Sequence, residues 1–225
     1  MSNYRPITLL NSDYKLYTKI LALKMTPLAC YVIHPNQAAF LPGRHIEDQT
    51  RLCQTMIHYC EATEENGALI ALDQEKAYDR IAHDYLWETL KEAGIPPRFI
   101  SKLRRLYQKA RTKVIINEEC SPFFSVTRGV RQGDPLSCIL FLLAIELLAC
   151  MLRASTLHGF SIPGMSDRIL ASLFADDTSV FLSQHDTWPE VWIILNKWCE
   201  ASKAKFNNFK TAWKPAPSTS FDQLH

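Results

Sequence analysis

The sequence predicts an α+β fold in which an antiparallel sheet is backed by helices, and three observations lead to that prediction. Amphipathic segments with a helical period alternate irregularly with short apolar runs of strand length. Two of these runs end abruptly in carboxylates, one at Asp73 and the other at the adjacent pair Asp176 and Asp177. The longest apolar run, Cys138 to Leu152, is interrupted by Glu146 and is too short to cross a bilayer, so it predicts a buried helix.

The composition indicates one or two globular domains without disulfides. The chain has 225 residues, 47% of them hydrophobic, which is enough for a sizeable core. Its formal net charge of +2 does not by itself suggest a nucleic-acid-binding protein. The seven cysteines are odd in number and have no close CxxC spacing, which argues against a zinc site and favours reduced thiols. Because no signal peptide opens the chain, we expect an intracellular protein that is not secreted.

The elements of the N-terminal half follow from periodicity, caps and breakers. They are, in order, a helix over Asp13–Met25 that Pro27 ends or bends, a loop over His34–Arg44, a helix over Glu47–Glu65, and a strand over Ala68–Leu72 that leads into Asp73.

The C-terminal half is predicted in the same way. Its elements are a helix over His83–Ala93 closed by Gly94, a helix that starts at Pro96-Pro97, a hairpin of Thr112–Ile116 and Phe123–Thr127, the buried helix opened by Pro135, a second hairpin within Ile169–Leu182, and a helix over Thr187–Ser202. After Trp213 the run Pro-Ala-Pro-Ser-Thr-Ser predicts disorder. We therefore expect divisions at residues 1–67, 68–213 and 214–225.

A basic segment lies in the middle of the chain. No acidic residue occurs between Ile95 and Asn117, whereas this stretch contains the basic residues Arg98, Lys102, Arg104, Arg105, Lys109, Arg111 and Lys113. Such a segment is either a solvated helix face or a surface that faces a polyanion, and the sequence leaves both interpretations open.

The carboxylates at the two strand ends are the candidate site. Adjacent aspartates at a hairpin turn are common in any protein, because Asp hydrogen-bonds its own backbone there. Two strands that each deliver Asp can, however, pool three carboxylates, and bound cations make such a surplus of negative charge tolerable. We therefore expect Asp73, Asp176 and Asp177 to bind Mg²⁺ or Mn²⁺, cations that prefer hard oxygen ligands.

Six segments in the correct order resemble the motifs of a reverse transcriptase (RNA-directed DNA polymerase) of the non-LTR, LINE-like retrotransposon kind. They are Asn3–Asn11 and Asn36–Arg44 for two fingers motifs, Asp73 with Ala77-Tyr78-Asp79 for motif A, Arg128–Ser137 for motif B, Phe174–Asp177 for motif C, and Phe206-Asn207 with Lys210-Thr211 for motif D. The match runs from about Tyr4 to Thr211. It implies a polymerase palm over residues 68–213, partial fingers over residues 1–67, and no thumb.

The resemblance also implies an activity and partners. The activity is template-directed addition of dNTPs to a DNA primer on an RNA template, with two Mg²⁺ or Mn²⁺ ions. Asp73 and Asp176 would bridge both ions, with Asp177 a weaker or indirect third ligand, whereas Asp79 is expected to start a helix.

The remaining roles that the resemblance implies concern the nucleotide and the nucleic acid. Tyr78, after Ala77, would be the steric gate that excludes a ribose 2′-OH, and Gln132-Gly133 would support the templating base and the incoming sugar. Arg5 would contact the triphosphate, Arg44 would contact the triphosphate or the template, and Lys210 would protonate the leaving pyrophosphate. Predicted nucleic-acid contacts are Arg128, Arg131, Arg104 and Arg105.

The chain departs from the family pattern in places. Lys203 stands where the family usually has Gly, which costs about 1 kcal/mol or more if that position needs a positive φ. Leu142 stands where motif B usually has Asn or Asp. Two other interpretations therefore stay open: an inactive relic that keeps the palm as a nucleic-acid-binding module, and another two-metal palm enzyme such as a cyclase or nuclease. Tyr78 and Gln132-Gly133 favour the polymerase over the latter.

Overall fold

The computed structural model describes residues 8–108, 110–165, 167–207 and 212–215. The helices in these ranges are α1 (Ser12–Val32), α2 (Ile46–Thr63), α3 (Ala77–Arg80), α4 (His83–Glu92), α5 (Pro97–Gln108), α6 (Ser137–Arg153) and α7 (Trp188–Ser202). The strands are β1 (Gly67–Leu72), β2 (Arg111–Thr112), β3 (Ile115–Ile116), β4 (Glu119–Cys120), β5 (Phe124–Ser125), β6 (Ala171–Phe174), β7 (Asp177–Ser183) and β8 (Ala212–Pro215). The predicted α+β class is confirmed.

The main sheet has four strands in the order β6-β7-β1-β8, and each neighbouring pair is antiparallel. The apolar run of β1 lies between β7 and β8, where its backbone is paired on both sides. β6 and β7 form the predicted hairpin, in which Phe174 lies opposite Asp177. The two strands that carry the candidate carboxylates, β1 and β7, are therefore direct neighbours.

The prediction of disorder after Trp213 is wrong for the first residues of that stretch. Ala212–Pro215 forms β8, which pairs with β1 so that Pro215 lies opposite Ala68. A proline is tolerated here because β8 is an edge strand and Pro215 is its last residue. Residues 216–225 lie outside the described residues.

The hydrophobic core is centred on α6, the predicted buried helix. Most of its apolar side chains are buried, with Leu147 an exposed exception at 42%, and α1, α4 and α7 pack against it. The buried Glu146 carboxylate accepts a bond from Arg153 Nη2 at 2.6 Å, which compensates its desolvation. Leu142 is fully buried in this core, an environment that suits Leu better than a polar residue. None of the helices in the described ranges combines the length and apolarity needed to cross a membrane.

The core also joins segments on both sides of the predicted division at residue 67. Leu21 and Met25 of α1 belong to the same buried cluster as Leu140 and Val180. The division into partial fingers and palm stays a prediction, although the two parts share one core. All seven cysteines lie in the described ranges and are free thiols, as predicted.

The first helix is longer than predicted. Pro27 was expected to end or bend a helix at Met25, yet α1 continues through it to Val32. Pro27 is exposed, and so is Leu23, whose carbonyl loses its helical partner at Pro27. Solvent can therefore satisfy the carbonyl that the proline leaves unpaired.

The predicted hairpin in the basic region is a pair of nested hairpins. β2 pairs with β5 as expected, but the inner strand β3 pairs with β4 instead of continuing the outer ladder. The turn between β3 and β4 consists of Asn117 and Glu118, with φ angles of 48° and 68°. Two successive positive φ angles are typical of a tight type I′ turn, which here lacks the glycine that usually signals it.

The C-terminal ends of α4 and α7 have the left-handed residues expected there. α4 is followed by Gly94 at φ 79°, and α7 ends at Lys203 with φ 62° and ψ 14°. Lys203 thus occupies the left-handed conformation for which glycine is favoured, as anticipated from the family pattern. Its backbone N–H donates to the Cys199 carbonyl oxygen at 2.8 Å, so the cap forms despite the unfavourable side chain.

Candidate active site

The strand end at Asp73 and the turn at Asp176 are neighbours in the sheet. β1 pairs with β7 so that Leu72 lies opposite Thr178. One further step of this register brings Asp73 level with Asp177, and directly opposed residues have Cβ atoms about 4.5–5.5 Å apart. A side chain spans the same gap, since Gln74 Nε2 donates to the Asp176 carbonyl oxygen at 3.3 Å. The structure thus brings together the two strand ends that sequence analysis singled out.

The turn that presents Asp176 is strained and is held by a buried glutamine. The turn residues are Ala175 and Asp176, and Ala175 has a φ of 55°. Gln37 Oε1 accepts from the Ala175 N–H at 2.9 Å, and Gln37 Nε2 donates to the Ala175 carbonyl oxygen at 3.3 Å. The same Oε1 also accepts from the Ala39 N–H at 3.1 Å, and Gln37 is 1% exposed. Gln37 lies within the second fingers-motif segment, Asn36–Arg44, and no local sequence pattern indicated this role.

The other strand end is held by the segment that follows α7. The Asn207 N–H donates to the Asp73 carbonyl oxygen at 2.8 Å, and Asn207 Nδ2 donates to Asp73 Oδ2 at 3.3 Å. Gln74 forms an antiparallel bridge with Phe206. The motif D segment therefore orients the motif A carboxylate by direct contact, a role that the sequence did not reveal.

A second contact between these segments is ionic. Glu75 accepts from Arg80 Nη2 at 2.5 Å and from Lys205 Nζ at 2.9 Å. The hydrogen bonds from Lys205 and Arg80 lower the pKa of the Glu75 carboxyl to about 2. Glu75 is thus a fixed anion that ties α3 to the segment after α7.

The three aspartates do not form a closed ligand shell. Among the residues that the structure describes, no group of three His, Cys, Asp or Glu side chains is close enough to hold a metal ion. The expected pooling of Asp73, Asp176 and Asp177 into one metal site stays a prediction: strand register brings the two strand ends together, but the three side chains do not form a metal-binding group. Like-charged carboxylates repel one another, which favours rotamers that point apart. Asp73 and Asp176 are half-buried, whereas Asp177 is exposed, and their oxygen donors suit Mg²⁺ or Mn²⁺.

Tyr78 lies near Asp176. Its ring stacks on Phe141 with centroids 4.6 Å apart and an interplanar angle of 12°, and Ala77 beside it is buried. Burial raises the pKa of Tyr78, and the neighbouring Cys138 and the negative charge of Asp176 raise it further. The phenol is therefore neutral and rigidly placed within electrostatic range of Asp176.

The motif B loop is fastened to the helix that carries Tyr78. The Gly129 N–H donates to Ile81 O, and the Val130 N–H donates to Tyr78 O, both at 2.7 Å. Gly129 has a φ of 81°, and a Cβ there would lie 2.8 Å from the backbone of Asp79. Only glycine fits this approach. Asp79 lies in the first turn of α3, in agreement with its expected helix-start role.

The tip of the motif B loop is a turn formed by Gln132 and Gly133. Gly133 is exposed and has a φ of 82°, and Gln132 is half-buried. Asp134, which follows, is 3% exposed, and its Oδ1 accepts from the Leu136 N–H at 3.0 Å, so it holds the turn that leads into α6. The exposed tip of the loop thus consists of backbone and the small residue Gly133, and the buried Asp134 fixes the loop from beneath.

Arg131 serves the fold instead of facing outward. Its guanidinium lies over the rings of Tyr14 and Tyr107, at 5.1 and 4.9 Å from their centroids. It also donates to the Tyr14 hydroxyl and, at 2.8 Å, to the Leu106 carbonyl oxygen. The phosphate contact predicted for Arg131 is not supported, because stacking and hydrogen bonding already occupy its side chain.

Arg44 is likewise committed to backbone carbonyls. Its Nη1 donates to His34 O at 2.8 Å and to Gln37 O at 2.7 Å, and its Nη2 donates to Ile33 O at 2.7 Å. These bonds fix the loop that carries Gln37, so the predicted triphosphate contact of Arg44 gains no support. Arg5 and Lys210 lie outside the described residues.

The other predicted nucleic-acid contacts come together. Arg104 and Arg105 of α5 and Arg128 line one groove with a cavity volume of about 1180 Å³. None of the three candidate aspartates lines it, nor does Tyr78. The basic segment thus forms a concave surface and not merely a solvated helix face.

Comparison with known proteins agrees with this geometry. A family model described as reverse transcriptase (RNA-dependent DNA polymerase) matches residues 1–221. The chain is 39% identical over 177 residues to the transposon TX1 uncharacterized 149 kDa protein of Xenopus laevis, covering 79% of this chain and 14% of that protein. It is 30% identical over 175 residues to the retrovirus-related Pol polyprotein from the type-1 retrotransposable element R2 of Bradysia coprophila, covering 77% of this chain and 19% of that protein.

A solved structure shares the fold. A telomerase from Candida tropicalis, determined in complex with a fragment of telomeric RNA, superposes with a TM-score of 0.65 at 15% identity, covering 95% of this chain and 36% of that chain. The chain thus spans less than a fifth of the length of the two relatives named above and about a third of this telomerase.

Proposed function

Because the chain belongs to the reverse transcriptase (RNA-dependent DNA polymerase) family, as its sequence predicted, we propose that it carries the site for RNA-directed DNA synthesis. The substrates would be dNTPs, a DNA primer and an RNA template. One observation carries the proposal: the register of β1 and β7 sets Asp73 beside the turn that presents Asp176. A polymerase of this kind needs two carboxylates at a single point, delivered by rigid elements.

The proposed metal ligands are Asp73 and Asp176, with Asp177 as a weaker or indirect third. Their donor set suits two Mg²⁺ or Mn²⁺ ions. Ions held by these carboxylates would supply positive charge that stabilises the attacking 3′ oxygen and the leaving pyrophosphate. The protein's own contribution is to hold the ligands, Asp73 through Asn207 and the Asp176 turn through Gln37. Both holding residues stabilise geometry before substrate arrives, which lowers the cost of reaching the reactive arrangement.

Selection of the sugar is proposed to rest on Tyr78. Its ring is fixed by Phe141 and lies in the electrostatic range of Asp176, so it is rigid where a nucleotide sugar would approach the metal ligands. An aromatic ring in that place excludes the 2′-OH, the group that distinguishes rNTP from dNTP. Gln132 and Gly133 are the proposed support for the templating base and the sugar. Arg5 and Lys210 keep their predicted roles toward the triphosphate and the leaving pyrophosphate.

The proposal is tested by removing the two ligand charges singly. Asp73→Asn and Asp176→Asn should each abolish extension of a DNA primer on an RNA template, with either Mg²⁺ or Mn²⁺. The matched control is Glu200→Gln, which removes one carboxylate charge at an exposed position of α7. It should retain extension. Extension at the wild-type level in either Asp variant would refute the assignment.

Metal binding separates the polymerase from an inactive nucleic-acid-binding relic. Calorimetric titration with Mn²⁺ should show binding to the wild-type chain that both Asp variants weaken strongly. A relic would bind nucleic acid with neither Mn²⁺ binding nor extension. A cyclase or nuclease would bind Mn²⁺ but would not extend a primer, so the two assays together distinguish all three functions.

A further inference from the structure

Positive charge is concentrated in the groove between α4, α5 and the nested hairpins. The cations that line it are Arg104, Arg105, Arg111, Arg128 and Lys203. All five are exposed, and Asp84 is the single lining carboxylate among the described residues. The formal net charge of the whole chain is only +2, so this surplus is a local feature and not a consequence of overall composition. A concave surface lined in this way attracts a polyanion.

An exposed aromatic ring accompanies the cations. Phe123 is 66% exposed, and its ring centroid lies 5.7 Å from the Arg111 guanidinium carbon and 5.8 Å from Lys113 Nζ. Arg111 also lines the groove, so the ring and the groove adjoin. An exposed aromatic ring flanked by cations is the combination that binds a base by stacking and its phosphates by charge.

The groove is separate from the proposed site of nucleotide addition. Neither Asp73 and Asp176 nor Tyr78 and the Gln132-Gly133 turn contributes to its lining. The groove is therefore a different surface from the one proposed for the incoming dNTP. The exposed ring is informative about which ligand fits, because base faces are hidden inside a duplex and are accessible in a single strand.

We propose that this groove, together with Phe123, binds single-stranded nucleic acid, with phosphates on the five groove cations and a base on the Phe123 ring. The proposal extends the proposed polymerase function, since it gives the same chain a second nucleic-acid site outside the carboxylate site. RNA and DNA single strands share the chemistry that the groove recognises, and separate probes distinguish them.

The first test removes groove charge. Binding of fluorescent oligo(U) and oligo(dT) to the full chain is measured by anisotropy over a range of salt concentrations. Arg105→Gln combined with Arg128→Gln should weaken binding about 25-fold at about 0.1 M salt and flatten the slope of log K against log salt by about 1.4. The matched control, Arg51→Gln with Lys197→Gln, removes two exposed charges outside the groove and should leave both quantities unchanged.

The second test removes the stacking ring. Phe123→Ala should weaken binding of the single strands about 5-fold or more, without altering the salt slope, because stacking releases no counterions. Ile193→Ala is the control for loss of an exposed apolar side chain elsewhere, since Ile193 is 67% exposed on α7. Thermal unfolding confirms that each variant is folded. If the first double variant is not, Arg111→Gln with Lys203→Gln removes two other groove cations.

The outcomes decide the proposal independently of catalysis. The proposal is supported if only the groove variants lose affinity for oligo(U) or oligo(dT). The probe that the wild type binds more tightly then shows whether the groove prefers RNA or DNA. The proposal is overturned if the groove and control variants lose affinity equally, or if the wild type does not bind the single-stranded probes. A blunt duplex that binds as tightly as the single strand and is insensitive to Phe123→Ala overturns the single-strand assignment. The chain carrying Asp73→Asn and Asp176→Asn should still bind, so a failure of polymerase activity leaves this test intact.

Discussion

Single side chains in this molecule control the candidate site through partners that are remote in sequence. Gln37 and Ala175 are 138 residues apart, yet the amide of one satisfies both backbone groups of the other. A non-glycine residue in the left-handed region costs about 1–3 kcal/mol, and it persists only where the surroundings enforce it. At the Asp176 turn the enforcing group is the buried Gln37 amide.

We expect Gln37→Leu to destabilise the chain by about 2 kcal/mol or more, because it leaves buried backbone groups of Ala175 and Ala39 without partners. The loss should be smaller by about 1 kcal/mol in the Ala175→Gly background, since glycine adopts the positive φ without help. Denaturant unfolding of the two single variants and the double variant measures this coupling. If Gln37→Leu lowers the free energy of unfolding equally in the wild-type and Ala175→Gly backgrounds, Gln37 does not hold the turn.

Tyr78→Ala should raise incorporation of rNTP relative to dNTP, because the ring that meets the 2′-OH is removed. Tyr78→Phe is the matched control: it keeps the ring on Phe141 and loses only the hydroxyl, so sugar selection should not change. Single-nucleotide extension with each substrate measures the ratio of kcat/KM values. The steric-gate role would be refuted by an Ala variant that still extends and discriminates as the wild type does.

The sequence predicted the positions of the strand ends that carry Asp73 and Asp176 better than it predicted the surroundings of the arginines. Asp73 and Asp176 were found because apolar strands stop abruptly at them, a signal that is local in the chain. Arg44 and Arg131 were expected to contact phosphate, yet Arg44 binds backbone carbonyls and the Arg131 guanidinium lies over the rings of Tyr14 and Tyr107. Their partners are fixed by tertiary packing, so no local pattern distinguishes them from ligand-binding arginines. Gln37 was missed for the same reason.

At the scale of elements, the site depends on how strand and helix ends are joined. Glu75 follows β1, Arg80 ends α3, and Lys205 follows α7, and the three side chains form one ionic cluster. The Glu75 N–H also donates to the Lys205 carbonyl oxygen at 2.8 Å. The cluster therefore supports the same junction through which Asn207 reaches Asp73.

This junction should make stability depend on acid pH. The Lys205 and Arg80 bonds lower the pKa of Glu75 from 4.5 to about 2. A lowered folded-state pKa gives stability that is complete above pH 4.5 and is lost as the pH falls toward 2. The Tm difference between wild type and Glu75→Gln should therefore be largest near neutral pH and vanish towards pH 2.

The control for this effect is Glu88→Gln, which removes a carboxylate from an exposed pair with Lys91 on a single helix. Such pairs contribute little, so its Tm should follow the wild type at every pH. A Tm difference for Glu75→Gln that stays constant from neutral to acid pH would contradict the assigned role of the cluster.

Elements with strong periodicity were predicted well, and elements that depend on partners were not. The apolar run from Cys138 to Leu152 predicted α6, and the amphipathic pattern from Thr187 to Ser202 predicted α7. β8 was missed because its composition resembles a flexible tail, and it forms as a strand only because β1 offers it a free edge. α1 continues through Pro27 on an exposed side of the helix, where Leu23 and Pro27 are both exposed, and periodicity alone does not show this.

For the whole molecule, the distribution of charge matters more than its sum. The 25 basic and 23 acidic residues nearly cancel, so no long-range field draws nucleic acid to the chain. Attraction is therefore limited to patches that act within about one Debye length, roughly 10 Å at 0.1 M salt. The groove that contains Arg104 and Arg105 is such a patch.

We therefore expect binding of an RNA/DNA primer–template by this chain to be weak and steeply salt-dependent. If about four phosphates are neutralised, raising the salt from about 50 to 200 mM should weaken binding by roughly 100-fold, and primer extension should fall with it. Arg104→Glu with Arg105→Glu should weaken binding further and flatten the salt dependence, because fewer counterions are released.

Thermal unfolding over the same salt range is the control, since an unchanged Tm attributes the loss to binding and not to unfolding. Arg51→Glu with Lys197→Glu supplies the matched charge reversal outside the groove and should leave the slope unchanged. Robust extension of a long template that persists at high salt would contradict the expectation. In that event contacts other than ion pairs with phosphate, such as apolar surface buried against the primer–template, would hold it on the chain.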